Sequence, residues 1–232
     1  MKQRKTYRAL SLLMILLLAV SAAQAEAATL TVTGSASIQL TPDYAVVSLG
    51  VNTQAASVQE AQAQNAAIMS SVLDALRGQN IADEDMQTGH FGVNPVYQDY
   101  SSFGSSSAKP LYSVDNTLLI TVHHLDSIGA VLDAAMQAGA NQSYGLTFDS
   151  TRRGEAYDRA LTAALENAAH KAALLAESAQ RKPGEPISIT EQTASYHAGY
   201  ASAVRMDAGG GTPILSGSLT VEASVEVTYP LQ

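Results

Sequence analysis

The sequence of 232 residues contains no cysteine and no tryptophan. Without cysteine the chain has no disulfide, no zinc–thiolate site and no thiol nucleophile, so its stability must come from packing. Lys and Arg number 13 against 21 Asp and Glu, which gives a formal net charge of −8 at pH 7. Because nucleic-acid binders concentrate Lys and Arg in patches, this balance predicts no nucleic-acid partner.

Recognisable catalytic motifs are also missing. The sequence has no Gly-x-Ser-x-Gly elbow of a serine hydrolase. Its run Gly209-Gly210-Gly211 is followed by Thr212-Pro213 instead of Lys and Ser or Thr, so it is not a phosphate-binding loop. We therefore predict a protein that is not an enzyme, with no catalytic residues, no cofactor and no metal.

The first 25 residues have the three parts of an export signal. These parts are a basic head (Lys2, Arg4, Lys5 and Arg8), an apolar run over 12–20, and the small-residue exit Ala23-Gln24-Ala25. The apolar run is shorter than the roughly 20 residues that a transmembrane helix needs. We predict a cleaved signal peptide over 1–25 and a mature chain over 26–232 without an integral membrane segment. Its net charge becomes −12, because the signal carries four basic residues and no acidic one.

Hydrophobic periodicity predicts an α+β fold for the mature chain. Alternating apolar residues predict strands over 30–40 and 44–51, and the turn Thr41-Pro42-Asp43 between them predicts a hairpin. Ser57 and Glu60 form a capping box that begins a helix ending at Gly78. Later strands are expected at 83–97, 111–123, 144–148, 186–191 and 219–229, and helices at 126–138 and 155–180. We expect a mixed, mainly antiparallel, curved sheet with helices packed on one face.

Four aromatic residues surround the Ser-rich segment 101–107, which we expect to be the flexible tip of a hairpin. They are Tyr97, Tyr100, Phe103 and Tyr112. Two interpretations are open. The rings pair across the strands of the hairpin, or they form an exposed surface that docks on another subunit. The second interpretation favours a homo-oligomer, and we keep these four residues as a candidate interaction surface.

A binding module for a metal or a small ligand is the rival hypothesis. Five histidines are the possible ligands: His90, His123, His124, His170 and His197. The adjacent pair points to opposite faces if it lies on a strand, and the other three come from distant segments. Asn65 lies on the apolar stripe of the first predicted helix, so it either bonds the backbone or contacts a ligand.

Short motifs follow one another in a characteristic order along the mature chain. They are Val32-Thr33-Gly34, Pro42-Asp43 with Ala45, Asp85-Met86-Gln87-Thr88 with Pro95 and Tyr97, Tyr112 with Asn116, Gly139-Ala140-Asn141 with Phe148, Pro213-Ile214 with Gly217, and the alternating strand from Val221 to Tyr229. In this order and spacing the chain resembles the SIMPL-domain family, the YggE-like periplasmic or outer-membrane-associated immunogenic proteins. Ala36 and Gln180 depart from the family, which often has glycine at both positions.

The resemblance implies an exported, non-enzymatic α+β domain over 26–232. It also implies a location in the periplasm, either free or associated with the outer membrane, and links to oxidative-stress defence and to surface antigens. Because the chain has no cysteine, a stress role here would be indirect. The function we predict is a periplasmic protein that self-associates.

Overall fold

The computed structural model describes residues 28–97, 110–199 and 212–232, and for 193–199 only the backbone. The predicted signal peptide, Tyr100, Phe103 and the segment 101–107 lie outside these residues. The described ranges contain seven strands and three helices. In chain order they are β1 (Thr29–Leu40), β2 (Tyr44–Ala55), α1 (Val58–Gly78), β3 (Met86–Val96), β4 (Leu111–Val122), α2 (Ile128–Gln137), β5 (Gln142–Asp149), α3 (Arg153–Ser178), β6 (Ser188–Gly199) and β7 (Ser218–Pro230).

The strands form two sheets. One has three strands in the order β1-β7-β6, and the other has four in the order β3-β4-β2-β5. Both β3–β4 and β2–β4 are antiparallel, as is β2–β5. The predicted mixed, mainly antiparallel α+β fold is confirmed, with two sheets in place of a single curved one.

The predicted hairpin between the first two strands is wrong, because β1 and β2 belong to different sheets. Asp43, in the connection between them, is anchored to the start of α3. Its carboxylate accepts hydrogen bonds from Thr151 N (2.8 Å), Thr151 Oγ1 (2.7 Å) and Ser150 Oγ (3.1 Å). The chain therefore passes from one sheet to the other at this point.

A core of large aliphatic side chains lies between the four-stranded sheet and two helices. Val47 and Leu49 of β2 and Ile120 of β4 are at most 1% exposed and pack with Val72 and Leu76 of α1. The predicted capping box is confirmed, because the Ser57 side chain accepts a hydrogen bond from Glu60 N. Each fully buried aliphatic side chain stabilises the fold by about 1.5–3 kcal/mol. One face of this sheet is therefore the packed face, as predicted.

The packing of α3 against β1 uses small residues. Ala164, Ala168, Ala172 and Ala176 recur every four residues and are fully buried. A side chain at Gly34 would make its Cβ overlap the carbonyl oxygen of Ala164 and would place it 2.7 Å from Ala168 Cβ. The backbones of the strand and the helix therefore approach each other too closely for any residue but glycine.

The contacts divide the chain into two compact units. Of the described residues, one unit takes 28–36, 161–193 and 223–232, and the other takes 37–97, 110–160, 194–199 and 212–222. Strand β6 is longer than the predicted 186–191, because it extends to Gly199 beside the long strand β7. Among the helices of the described ranges, none combines the length and the hydrophobicity that crossing a bilayer requires.

Candidate interaction surface on an edge strand

Strand β3 lies at an edge of the four-stranded sheet, with β4 as its neighbour. In the antiparallel register Val93 is opposite Val114, and Pro95 is opposite Tyr112. Opposed residues share a face, and Val114 is buried in a small cluster with Ala55 and with Ala61 of α1. From Phe91 onward, beyond an irregularity in the pairing between Thr88 and His90, the odd-numbered residues of β3 therefore lie on the packed face of the sheet.

These residues are apolar and exposed. Phe91 is 51% exposed, Val93 is 38% exposed and Tyr97, just beyond the strand, is 45% exposed. Pro95 between them is also exposed. We call Phe91, Val93, Pro95 and Tyr97 the apolar row. Contiguous exposed apolar residues on an edge strand are typical of a surface that contacts another chain.

The sequence had pointed to the neighbouring aromatic residues. Tyr97 belongs to the apolar row, and half-buried Tyr112 lies on the same face, opposite Pro95. Tyr100 and Phe103 fall in the undescribed segment between β3 and β4. Sequence reasoning missed Phe91 and Val93, although the alternation of apolar residues at 91, 93, 95 and 97 was the signal that could have identified them.

The outer edge of β1, in the other sheet, is capped by side chains of α3. Lys171 Nζ donates a hydrogen bond to the carbonyl oxygen of Thr33 (2.8 Å). Ser35 N donates to Asn167 Oδ1 (3.2 Å). The two helical residues are four apart and so lie on one side of α3. They occupy backbone groups that an added strand would need.

One end of the four-stranded sheet carries a row of interacting ionisable side chains. His123 Nε2 lies 3.1 Å from Asp85 Oδ1, and the rings of His123 and Tyr44 are 6.3 Å apart. Burial raises the pKa of Tyr44, and its hydrogen bond to Asp149 raises it further. Asp149 also forms an ion pair with Arg153. The phenol therefore stays protonated and acts as a donor that fastens the strand ends.

The carboxyl group of Asp43 has a pKa below its ordinary value. Partial burial acts to raise its pKa, but the hydrogen bonds from Thr151 and Ser150 outweigh burial and hold the pKa below its ordinary value. This carboxylate is thus stabilised as an anion that accepts three hydrogen bonds. Its role is to anchor the connection between β1 and β2.

In the part of the chain that the structure describes, the candidate metal ligands do not cluster. Across 28–97, 110–192 and 212–232, no three His, Cys, Asp or Glu side chains come together in a way that could hold a metal ion. Asn65 Nδ2 donates to the carbonyl oxygens of Val51 (2.8 Å) and Val114 (3.1 Å). Its amide nitrogen therefore joins α1 to β2 and β4, which confirms that this buried side chain makes structural hydrogen bonds.

The fold defines an α+β protein of two antiparallel sheets, and the edge strand gives it an exposed apolar row. Residues 30–229 match the SIMPL family, described as a protein of unknown function (DUF541). The match covers most of the sequence, and the chain belongs to this family.

Two kinds of curated relative are similar to the chain. The 26 kDa periplasmic immunogenic protein of Brucella melitensis biotype 1 is 32% identical over 161 residues, which is 68% of this chain and 64% of the relative. The uncharacterized protein YggE of Escherichia coli K12 is 28% identical over 193 residues, which is 83% of this chain and 76% of the relative. The match thus spans less than two thirds of the Brucella protein's own length.

Proposed function

We propose that this chain is an exported, non-enzymatic protein of the periplasm that self-associates through the apolar row on β3. The observation that carries the proposal is the row itself. Its three large apolar side chains, two on the edge strand β3 and Tyr97 just beyond it, are each at least 38% exposed. Burying such residues against a second copy would remove apolar surface from water and would extend the sheet across the interface.

The lack of charged residues on β3 supports a second copy of this chain as the partner that binds the apolar row. The 11 residues of β3 include no Lys, Arg, Asp or Glu. Edge strands that avoid pairing usually carry a charge, most often Lys. Although the predicted mature chain has a net charge of −12, two β3 strands can meet without a direct like-charge contact.

The compartment is proposed from the sequence and from a relative. The basic, apolar and small-residue parts of the first 25 residues match an export signal. The Brucella relative is named as a periplasmic protein. We place this protein in the periplasm, either free or associated with the outer membrane.

The oligomeric state of the mature protein tests the interface. We expect a discrete oligomer by native mass spectrometry, and we expect Val93→Asp to shift it to smaller species because a charge would be buried between copies. Leu174→Asp is the matched control, since this α3 residue is 52% exposed and lies outside the row. An unchanged oligomer in Val93→Asp, or equal dissociation in the control, would contradict the proposal.

The Ser-rich segment is tested separately. Deletion of 101–107, or the double change Tyr100→Ser and Phe103→Ser, weakens assembly if this segment extends the interface beyond β3. If both variants assemble like the wild type while Val93→Asp does not, the interface is confined to the strand.

We also propose that any contribution to envelope or oxidative-stress defence is indirect. Thiol chemistry is excluded because there is no cysteine. Of the methionines that could scavenge oxidant, Met69 is only 6% exposed, whereas Met136 is 41% exposed and could react stoichiometrically. The purified mature protein should therefore consume no hydrogen peroxide beyond its methionine content, and catalytic peroxide consumption would contradict this part of the proposal.

A further inference from the structure

The hydrogen bonds of β2 show which way the backbone groups of β4 point. Asn52 N donates to the side chain of Asn141, and Asn52 O accepts from it, so the backbone groups of Asn52 face β5. Backbone direction alternates along a strand, so those of Thr53 face β4, where its opposite residue is Val114. Asp115, the next residue of β4, therefore points its backbone groups to β3.

The same alternation decides which backbone groups of β3 face its open edge. Gly92 is opposite Asp115, so its N–H and C=O point to β4, and those of Phe91 and Val93 point outward. Pro95 agrees with this assignment, because a proline inside a sheet turns its nitrogen, which has no hydrogen, toward an open edge. Phe91 and Val93 therefore present both an exposed apolar side chain and outward backbone groups.

One antiparallel register between two β3 strands uses all of these outward groups. It places Phe91 opposite Val93 of a second copy, so that each of the two equivalent pairs exchanges two backbone hydrogen bonds about a twofold axis at Gly92. A register centred on Val93 would place Phe91 opposite Pro95, which has no N–H. A register centred on Phe91 would place Val93 opposite Gly89, at the irregularity in the pairing of β3 with β4.

The side chains on the other face of β3 fit the same register. A Cβ at Gly92 would lie 2.9 Å from His90 Nε2 and 3.7 Å from Asn94 Nδ2, so both polar side chains lean over this glycine. In the Gly92-centred register His90 of one copy is opposite Asn94 of the other, and an imidazole and an amide can share a hydrogen bond. At the axis the two glycines bring no side chains of their own between the strands.

The opposite edge of the same sheet is a poorer partner for β3. In the pairing of β5 with β2, Tyr144 is an extra residue between Ser143, which is opposite Leu49, and Gly145, which is opposite Ser48. Bulges of this kind disturb the pairing surface of an edge strand and protect it from further strands. Beyond its own irregularity, β3 is paired regularly up to its end. Two β3 strands therefore match each other better than β3 matches β5.

We propose that two copies of this chain pair their β3 strands antiparallel about a twofold axis at Gly92, with His90 of each copy bonding Asn94 of the other. The inference rests on the self-association proposed above and adds its symmetry, its register and two residues that select the register. Phe91 of each copy then packs on Val93 of the other, as aromatic and β-branched residues do across paired strands.

Disulfide trapping tests the register, and the absence of native cysteine removes any background. The full mature protein carrying His90→Cys and Asn94→Cys together should form a covalent dimer on oxidation, seen by non-reducing electrophoresis. Opposite residues of this kind lie about 4.5 Å apart at their Cα atoms, which suits a disulfide. Either change alone should give about tenfold less dimer, because identical residues would be about 13 Å apart along the paired strands.

Leu174→Cys, at an exposed position on α3, measures disulfides that form by random collision and should also give little dimer. Native mass spectrometry of the wild type and of the reduced variants separates the two ways of failing. A wild type that is monomeric would contradict the proposed self-association itself. An oligomer in which the double variant forms no more covalent dimer than the single variants or Leu174→Cys would overturn the register and leave self-association standing.

Discussion

Strands β1 and β3 both lie at the edge of a sheet, where backbone groups are left without a neighbouring strand, but they differ in what occupies that edge. On β1, the carbonyl oxygen of Thr33 and the amide of Ser35 are bonded by Lys171 and Asn167 of α3. On β3, apolar side chains are exposed and no charged residue is present. Exposed strand edges invite pairing with other chains. The comparison indicates that β1 is closed to further strands, whereas β3 is available to one.

The capping of β1 depends on how closely α3 approaches it. Gly34 and Ala164 let the two backbones meet, and this proximity brings Lys171 within reach of the strand edge. By contrast, α1 packs mainly on β2 and β4 through larger residues such as Val72 and Leu76. The small residues therefore do more than allow close packing, because they also bring Lys171 of α3 within hydrogen-bonding distance of the edge of β1.

The largest expected effect comes from forcing α3 away from β1. Gly34→Ala places a methyl group where the Ala164 carbonyl lies, so we expect a loss of about 3 kcal/mol in the free energy of unfolding. Gly154→Ala is the matched control, because nothing lies within 4 Å of that position near the start of α3. There we expect a gain of about 0.5–1 kcal/mol. Urea denaturation measures both, and a neutral Gly34→Ala would refute the close approach.

The anchor of α1 offers the corresponding test in the four-stranded sheet. Asn65→Ala removes the donors to the carbonyl oxygens of Val51 and Val114, so we expect a loss of about 2 kcal/mol in the free energy of unfolding. Gln64→Ala is the matched control, because Gln64 is the preceding residue of α1 and its side chain is exposed. Chemical denaturation should show little change in that control, and equal losses in the two variants would contradict the anchoring role.

Removing the cap from β1 should have a smaller effect on stability but a visible effect on association. The double change Asn167→Ala and Lys171→Ala frees the Thr33 carbonyl and the Ser35 amide, with an expected loss of about 1 kcal/mol. We also expect larger assemblies by size-exclusion chromatography, since a second edge becomes available. Unchanged assembly would show that the two side chains are not what closes β1.

The smallest expected effect concerns the C-terminal end of α3. Gln180 has a φ of 56°, a left-handed conformation that favours glycine. Gln180→Gly should therefore raise the free energy of unfolding by about 0.5–1 kcal/mol. Thermal denaturation against the wild type checks this, and a destabilised variant would show that the Gln180 side chain has a compensating role.

The sequence predicted the features that depend on local signals. The helix cap at Ser57 follows from residues three apart. Strand β7 follows from strict alternation. Such signals require only neighbouring residues to be interpreted.

The partners of β1 and of several polar side chains could not be predicted, because they are distant in sequence. Strand β1 pairs with β7, at the other end of the chain, which is why the hairpin expectation was wrong, and Asp43 in the connection bonds Thr151, 108 residues away. Asn141 accepts from Asn52 N and donates to Asn52 O, so its amide side chain continues the strand pairing of β5 across 89 residues. No local sequence pattern reveals such pairings. The hydrogen bond that caps β1, from Lys171 to the carbonyl of Thr33, likewise joins residues that are distant in sequence.

Hydrogen–deuterium exchange of the mature protein at low and high concentration tests the central claim most directly. If β3 is the edge used for self-association, its backbone amides gain protection as concentration rises, while the amides of β1 exchange equally at both concentrations. Protection that rises along β1 instead, or an oligomer that forms without added protection in β3, would contradict the account.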